Sequence, residues 1–285
     1  MSYANFIPTV WSEEIMRDLE KSCVFVEDCN RQYEGLVKQR GESVKILGVG
    51  KPTIKTALKS GRNNDIDGPE EIEDTSVIMY INQVRYFNYM VGDIDKAQSV
   101  GNVMDALSKE TTEGLASEKD KYIASLVTDK SVPKLFTDAQ KIITGSTGSD
   151  GMNVLHVLDT ALERLYENDV NPNTDIVVTV SPRFYTLFKQ AYIGKDTDNS
   201  EMLKNGRVGR YGNITVKMSN NVHRDGGTDN IMIRTKRAVA FACPFIHTEA
   251  YRPEKKFADA VKGMILFDGK VVRPKEIYNI NVKYS

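Results

Sequence analysis

Residues 249–274 decide how this chain is to be read: Glu249-Ala250-Tyr251-Arg252-Pro253-Glu254, then Phe257-Ala258-Asp259-Ala260-Val261-Lys262-Gly263, then Gly269-Lys270-Val271-Val272-Arg273-Pro274. The apolar runs from Thr248 onward, at Val261 to Phe267, Val271 to Val272 and Ile277 to Val282, have the character of strands, so the chain closes on β structure. Just upstream, Asn230 to Ile233 and Ala238 to Phe241 are strand-like, and Ile214, Val216 and Met218 alternate with Thr215 and Lys217. Before them, Ile193 to Gly212 is polar and glycine-rich. The Ser181-Pro182 pair reads as a cap followed by proline at the first helical position, opening Arg183 to Gln190, with Ile176 to Val180 as the strand before it. A further helix has Val154, Leu155, Leu158, Ala161, Leu162 and Leu165 on one face. The Gly, Ser and Thr residues between Gly145 and Gly151 mark a domain boundary.

Further back, Val103 to Val127 is a long helix with Met104, Leu107, Thr111, Leu115, Tyr122 and Leu126 at helical spacing, and Gly114 inside it points to close packing or a bend. Thr75 to Val91 is expected as one long strand-like run with apolar residues on both faces, which implies a covered sheet. Ser60 to Asp74 is a polar loop. Val44 and Ile46 alternate with Lys45, and Ile54, Thr56 and Leu58 with Lys55 and Lys59. Ser12 caps an N-terminal amphipathic helix carrying Ile15, Met16 and Leu19.

Composition excludes several classes. The 285 residues hold 38 Lys plus Arg against 39 Asp plus Glu, so no global field favours polyanions or anionic membranes. The most apolar stretch, Ala238 to Ile246, is broken by Pro244 and is far below the ~20 residues a bilayer demands. The first residues show no basic segment followed by an apolar one, so synthesis in the cytosol is expected. Cys23, Cys29 and Cys243, an odd number in a long chain, are expected as reduced buried thiols.

The search for chemistry returns no active site. His156, His223 and His247 lie too far apart for local zinc spacing, and His156 is expected as a packed structural histidine. Cys29 has no local feature that would lower its pKa, no nucleophile elbow or phosphate loop occurs, and Gly206, Gly209 and Gly212 read as turn formers. No catalytic, metal or cofactor site is expected, and the chain is not expected to be an enzyme.

Charge patterning is more informative. Lys38, Arg40, Lys45, Lys51, Lys55, Lys59 and Arg62 face a single acid, Glu42, and then the sign flips to Asp65, Asp67, Glu70, Glu71, Glu73 and Asp74. A solvated hairpin with incidental charge is one explanation. The other is that Lys51, Lys55, Lys59 and Arg62 on one copy meet Asp65, Asp67, Glu70, Glu71 and Glu73 on the next and fix their register.

The order of parts, with particular residues in each, resembles the tailed-bacteriophage major capsid proteins of the Hong Kong 97 fold, near the coat-like subgroup with a separate scaffold. The carrying residues are Ile7-Pro8-Thr9-Val10-Trp11-Ser12, Asn30-Arg31-Gln32-Tyr33-Glu34-Gly35, Gly50-Lys51-Pro52-Thr53-Ile54, Tyr86-Phe87-Asn88, Asp93-Ile94-Asp95-Lys96-Ala97-Gln98, Ser219-Asn220-Asn221 and the run quoted first. The resemblance implies an α+β fold with an N-terminal arm (1–35), an extended loop (36–92), a peripheral domain with a long spine helix (93–147), an axial α/β domain (148–245) and peripheral return strands (246–285). It implies self-assembly as hexamers and pentamers into an icosahedral shell around double-stranded DNA held by non-specific contact. A portal and a separate scaffolding protein are implied as partners, the latter because the fused scaffold of some relatives is not found. No membrane is involved; the implied location is the virion capsid, and the host cytoplasm during assembly. An encapsulin-like compartment is the alternative.

Overall fold

A computed structural model of the chain describes residues 23–34, 43–49, 54, 74–93, 103–145, 148, 151–193 and 209–284. The expected helix after Ser12, nearly all of the polar loop and most of the glycine-rich stretch before Gly212 lie outside these residues.

The first strands are β1 (Ser43–Val49), β2 (Asp74–Tyr80) and β3 (Gln83–Gly92), followed by helix α1 (Val103–Ser125). Next come β4 (Gln140–Ile143), β5 (Met152–Asn153), α2 (Val154–Glu167), β6 (Ile176–Val180) and α3 (Pro182–Ile193). The remaining strands are β7 (Arg210–Tyr211), β8 (Ile214–Met218), β9 (His223–Asp225), β10 (Thr228–Thr235), β11 (Val239–Tyr251), β12 (Ala258–Val271) and β13 (Ile277–Lys283).

Three sheets result. The largest has eight strands in the order β5-β4-β13-β10-β6-β8-β7, with β9 also on β10. Its centre is dry: every residue of Ile176–Val180 is buried, as are Ile231, Met232 and Ile233. Such a continuous apolar run is what a strand covered on both faces requires. Helix α2 presents Val154, Leu155, Val157, Leu158, Ala161 and Leu165 to this core, as the spacing predicts, and the Asn153 side chain caps it by accepting the Leu155 N–H at 2.8 Å. The Ser181-Pro182 cap also stands, with the Phe184 N–H donating to Ser181 Oγ at 3.4 Å.

The second sheet is long and three-stranded, β11-β12-β3, and the third is an antiparallel ribbon of β1 and β2. The run expected as one strand between Thr75 and Val91 is therefore two strands in two sheets. The break falls at buried Ile81 and at Asn82, whose backbone N–H donates to Asp268 Oδ2 at 3.1 Å. Nor does sheet pairing follow the expected domain limits. The last strand, within 246–285, pairs along its length with β10, and β4, from within 93–147, lies on its other side.

Helix α1 runs to Ser125, about 35 Å at 1.5 Å per residue, and continues as a 3-10 turn over Leu126–Thr128. Its buried residues are Thr112, Leu115, Ala116, Lys119, Asp120, Ile123 and Ala124, so Leu115 was placed correctly while two charged side chains share the packed face. Gly114 serves neither close packing nor contact: a Cβ there would meet nothing within 4 Å. The close approach is at Gly269 of β12, where a Cβ would stand 2.5 Å from the Ile123 Cδ1. Likewise Gly263 lies under the Phe87 ring, whose Cζ would be 2.5 Å from an added Cβ. Two glycines of the quoted C-terminal run thus exist to let helix and ring approach the sheet.

Candidate assembly interface

One face of the three-stranded sheet is covered along its length. Phe87, Val91, Val261, Ile265 and Phe267 point toward α1, where Arg85 pairs with Glu118 at 3.6 Å and Tyr122 donates to Asp268 Oδ1 at 2.6 Å. Among the described residues, the opposite face is covered only at one end. There Val44 and Ile46 of β1, Met79 of β2 and Ile81 pack on Ala240, Ala242 and Leu266. Beyond the ribbon, cross-strand neighbours expose Tyr86 beside Met264, Asn88 beside Lys262, and Met90 beside Ala260, with His247, Glu249 and Tyr251 completing the rows on β11.

This face is ordered as well as open. Tyr251 donates to Asn88 Oδ1 at 3.2 Å, and Lys262 pairs with Glu249 at 3.1 Å while lying 5.0 Å from the Tyr251 ring centroid. At its far end Arg252 binds Asp93 and reaches Asp259 at 4.0 Å, so three separately quoted sequence segments meet on one guanidinium. Tyr86 is 81% exposed and Phe257, whose carbonyl accepts the Asp93 N–H, is 86% exposed. On the ribbon, the outward face carries Ser43 opposite Tyr80 and Lys45 opposite Ile78; Tyr80 is 57% exposed. Single exposed apolar residues are ordinary, but runs of them along the same face of successive strands mark a contact surface. Among the described residues, the sheet expected to be covered over Thr75 to Val91 is covered fully on one side and at one end of the other.

A second cluster was not legible. Asp120, buried on α1, accepts the backbone N–H groups of Val24 at 2.8 Å, Phe25 at 3.0 Å and Val26 at 3.3 Å. Burial pushes its carboxyl above the usual range, and the three N–H bonds and Lys119 offset only part of that. Arg234, buried on β10, donates to the Phe25 carbonyl at 2.6 Å and to Cys29 Sγ at 3.1 Å. Lys217 of β8 pairs with Glu27 and Asp28, both at 2.7 Å. Lys119, also buried, lies 5.9 Å from the Phe241 ring centroid. A charged residue on an apolar face counts as solvated in a sequence pattern, and only the fold reveals its partner.

Nothing in the described residues groups into a catalytic set. All three cysteines are buried; burial raises the Cys23 thiol to about 12 and outweighs Arg234 at Cys29, which also moves upward. The guanidinium beside Cys29 is the feature its local sequence does not show. His156 is exposed on the outer side of α2, not packed as expected, because the stripe through Leu155 and Leu158 turns it outward. Among the described residues no three His, Cys, Asp or Glu side chains could hold a metal ion, and no helix is long and apolar enough to cross a membrane. Gly212, with φ of 56°, forms the turn between β7 and β8, and Gly206 lies outside the described residues. So do Lys51, Lys55, Lys59, Arg62, Asp65, Asp67, Glu70, Glu71 and Glu73, the charged residues expected between copies.

No protein-family model and no curated protein matches the chain. Solved structures do. A chain of Mycobacterium phage Che8 is 27% identical over 90% of both chains, with a TM-score of 0.70. The capsid of the cyanophage P-SCSP1u aligns at a TM-score of 0.69 and 16% identity, over 92% of this chain and 88% of that one. The chain has the fold of a tailed-phage major capsid protein. A virus-like particle from Pyrococcus furiosus shares this capsid fold at a TM-score of 0.56 and 10% identity, over 94% of this chain and 96% of that one. Helix α1 falls within the range where the resemblance expects the spine helix, and β1 and β2 fall within 36–92, the expected extended loop.

Proposed function

We propose that the chain is a major capsid protein: copies assemble as hexamers and pentamers into the icosahedral shell of a tailed phage. The observation that carries this reading is the likeness, over nine-tenths of both chains, to a phage protein at 27% identity and to a phage capsid at nearly the same TM-score. The open sheet face supports it, since a surface that the described residues leave uncovered is what a subunit of a shell presents to its neighbours. The alternative, an encapsulin-like compartment for cargo proteins, is not favoured, because the likeness at 27% identity is to a phage protein.

The remaining parts of the proposal follow from that role. The shell encloses double-stranded DNA through non-specific contact, closes on a portal and is built with a separate scaffolding protein. Assembly takes place in the host cytoplasm, and the chain has no catalytic activity of its own. Residues 1–35, 36–92, 93–147, 148–245 and 246–285 form arm, extended loop, peripheral domain, axial domain and peripheral return, with 277–283 contributing a strand to the axial sheet. Lys51, Lys55, Lys59 and Arg62 meet the acidic run Asp65, Asp67, Glu70, Glu71 and Glu73 of a neighbouring copy. Reversing Lys51, Lys55 and Lys59 to Glu leaves the subunit folded, because exposed charges are worth ~0 to 1 kcal/mol each, but stops assembly, where like charges cost several. Sedimentation of the triple variant tests this: normal shell yield rejects the pairing. Electron microscopy of the expressed protein, alone and with a candidate scaffold, tests the function itself.

A further inference from the structure

The two main sheets are joined by two short links that run side by side. One is the turn from β10 to β11 after Thr235, the other the 3-10 turn Pro274–Glu276 between β12 and β13. Glu276 pins them together: Oε2 accepts from Thr235 Oγ1 at 2.5 Å and from Arg237 at 3.1 Å, and Oε1 from Arg273 at 2.9 Å. Two short links leave the angle between the sheets to whatever else crosses the junction, and the 3-10 turn after α1 is one such crossing, touching β10, β12 and β13.

Residues 23–34 cross it as well. At their start they are held by Lys217 and Arg234, both on the eight-stranded sheet, and by Asp120 on the spine helix. At their end they lie on β11 of the other sheet: the Asn30 N–H donates to the Val239 carbonyl at 2.9 Å, the Phe241 N–H to the Asn30 carbonyl at 3.0 Å, and the Cys243 N–H to Glu34 Oε1 at 3.1 Å. A single residue shows the design. Phe25 donates its N–H to Asp120 and accepts Arg234 at its carbonyl, so its backbone is gripped by two elements at once. Apolar packing alone would let the segment slide; hydrogen bonds to buried charges fix its position, at the desolvation cost such groups carry.

We infer that residues 23–34 are a strap that sets the angle between the two sheets, and with it the curvature each subunit imposes on the shell. The second half of this statement rests on the shell reading; the first does not.

The test uses the full chain and two variants. Asp120→Asn replaces one acceptor oxygen by a donor facing N–H groups. Lys217→Gln, at a partly exposed side chain, loosens the grip on Glu27 and Asp28 at less risk to folding. Hydrogen exchange at Val24, Phe25 and Val26 is expected to speed up roughly tenfold to a hundredfold in Asp120→Asn, the worth of hydrogen bonds to a charged group, with the α2 amides unchanged. Spin labels at Glu163→Cys on α2 and Lys262→Cys on β12, both exposed, report the angle between the sheets. A broadened label distance in either variant supports the strap, and shells of additional diameters in the electron microscope support its role in curvature. Faster exchange with an unchanged label distance overturns the strap, as does unfolding of both variants, which would make the segment ordinary core. If the label distance broadens while shells keep the wild-type diameter, the link to curvature is overturned. If the wild type forms no shell, the shell reading fails and the label distances still judge the strap.

Discussion

The eight-stranded sheet and the three-stranded sheet are finished in different ways. Around the first, α2 and α3 and the chain's own loops close over β6, β10 and β13 until Ile176, Val178, Ile231, Ile233 and Ile280 are out of water. The second has longer strands, yet beyond the ribbon its outer rows hold Tyr86, Asn88, Met90 and His247 in the open. The first region is stabilised by itself; the second has the residue types of a covered surface and, among the described residues, no cover beyond the ribbon. The contrast separates what folds the subunit from what joins it to others, and substitutions in the two regions should therefore fail in different assays.

The largest effect on folding is expected at Leu115→Asp, which puts an unpaired charge on the packed side of the spine helix and should cost more than about 4 kcal/mol. The protein should be insoluble, whereas Lys109→Glu on the exposed side should change the unfolding midpoint by no more than about 0.5 kcal/mol would. Soluble, assembly-competent Leu115→Asp protein would mean that the helix packs through another face.

A smaller effect is expected at the hinge. Burial alone would push the Glu276 carboxyl up, but the Thr235 hydroxyl, Arg273 and Arg237 outweigh it and hold the group below the usual glutamate range. A carboxyl lowered on folding contributes stability that is fully present above its unfolded value, about 4.3, and lost as the pH falls through the lower folded value. Urea titrations should therefore show wild type ahead of Glu276→Gln at pH 7, with the gap closing as the pH drops below about 4. A gap that widens with acid would contradict the assigned network.

The smallest effect on stability, and the largest on assembly, is expected on the open face. Replacing Tyr80 and Tyr86 by Ser should move the subunit's unfolding by no more than about 0.5 kcal/mol would, as surface substitutions do, yet sharply lower shell yield. Unchanged yield would remove these side chains from the interface.

How much of this was legible follows the same division. The α2 stripe, the Ser181-Pro182 cap and the alternation of Val44 and Ile46 with Lys45 are patterns complete within a few residues, and they hold. The spine helix was visible as a helix, but its packed side was not, because Lys119 and Asp120 find partners 80 or more residues away in sequence, at Phe241 and at Val24 to Val26. The split of Thr75 to Val91 into two strands depends on Asp268, and the placement of Ile277–Lys283 beside β10 on long-range pairing that no periodicity encodes. An apolar face pattern likewise says that a surface is to be covered without saying whether its own chain or a neighbour covers it.

The central claim is that the open face is closed by other copies. Hydrogen exchange on purified subunits and on assembled particles, read at the amides of β3 and β12, tests it most directly. Upon assembly, slower exchange should appear along Tyr86 to Met90 and Ala260 to Met264, with that of β6 and β10 unchanged. A protein that remains a single-chain species at high concentration with a candidate scaffold present, or particles in which those amides exchange as fast as in the free subunit, would contradict the account.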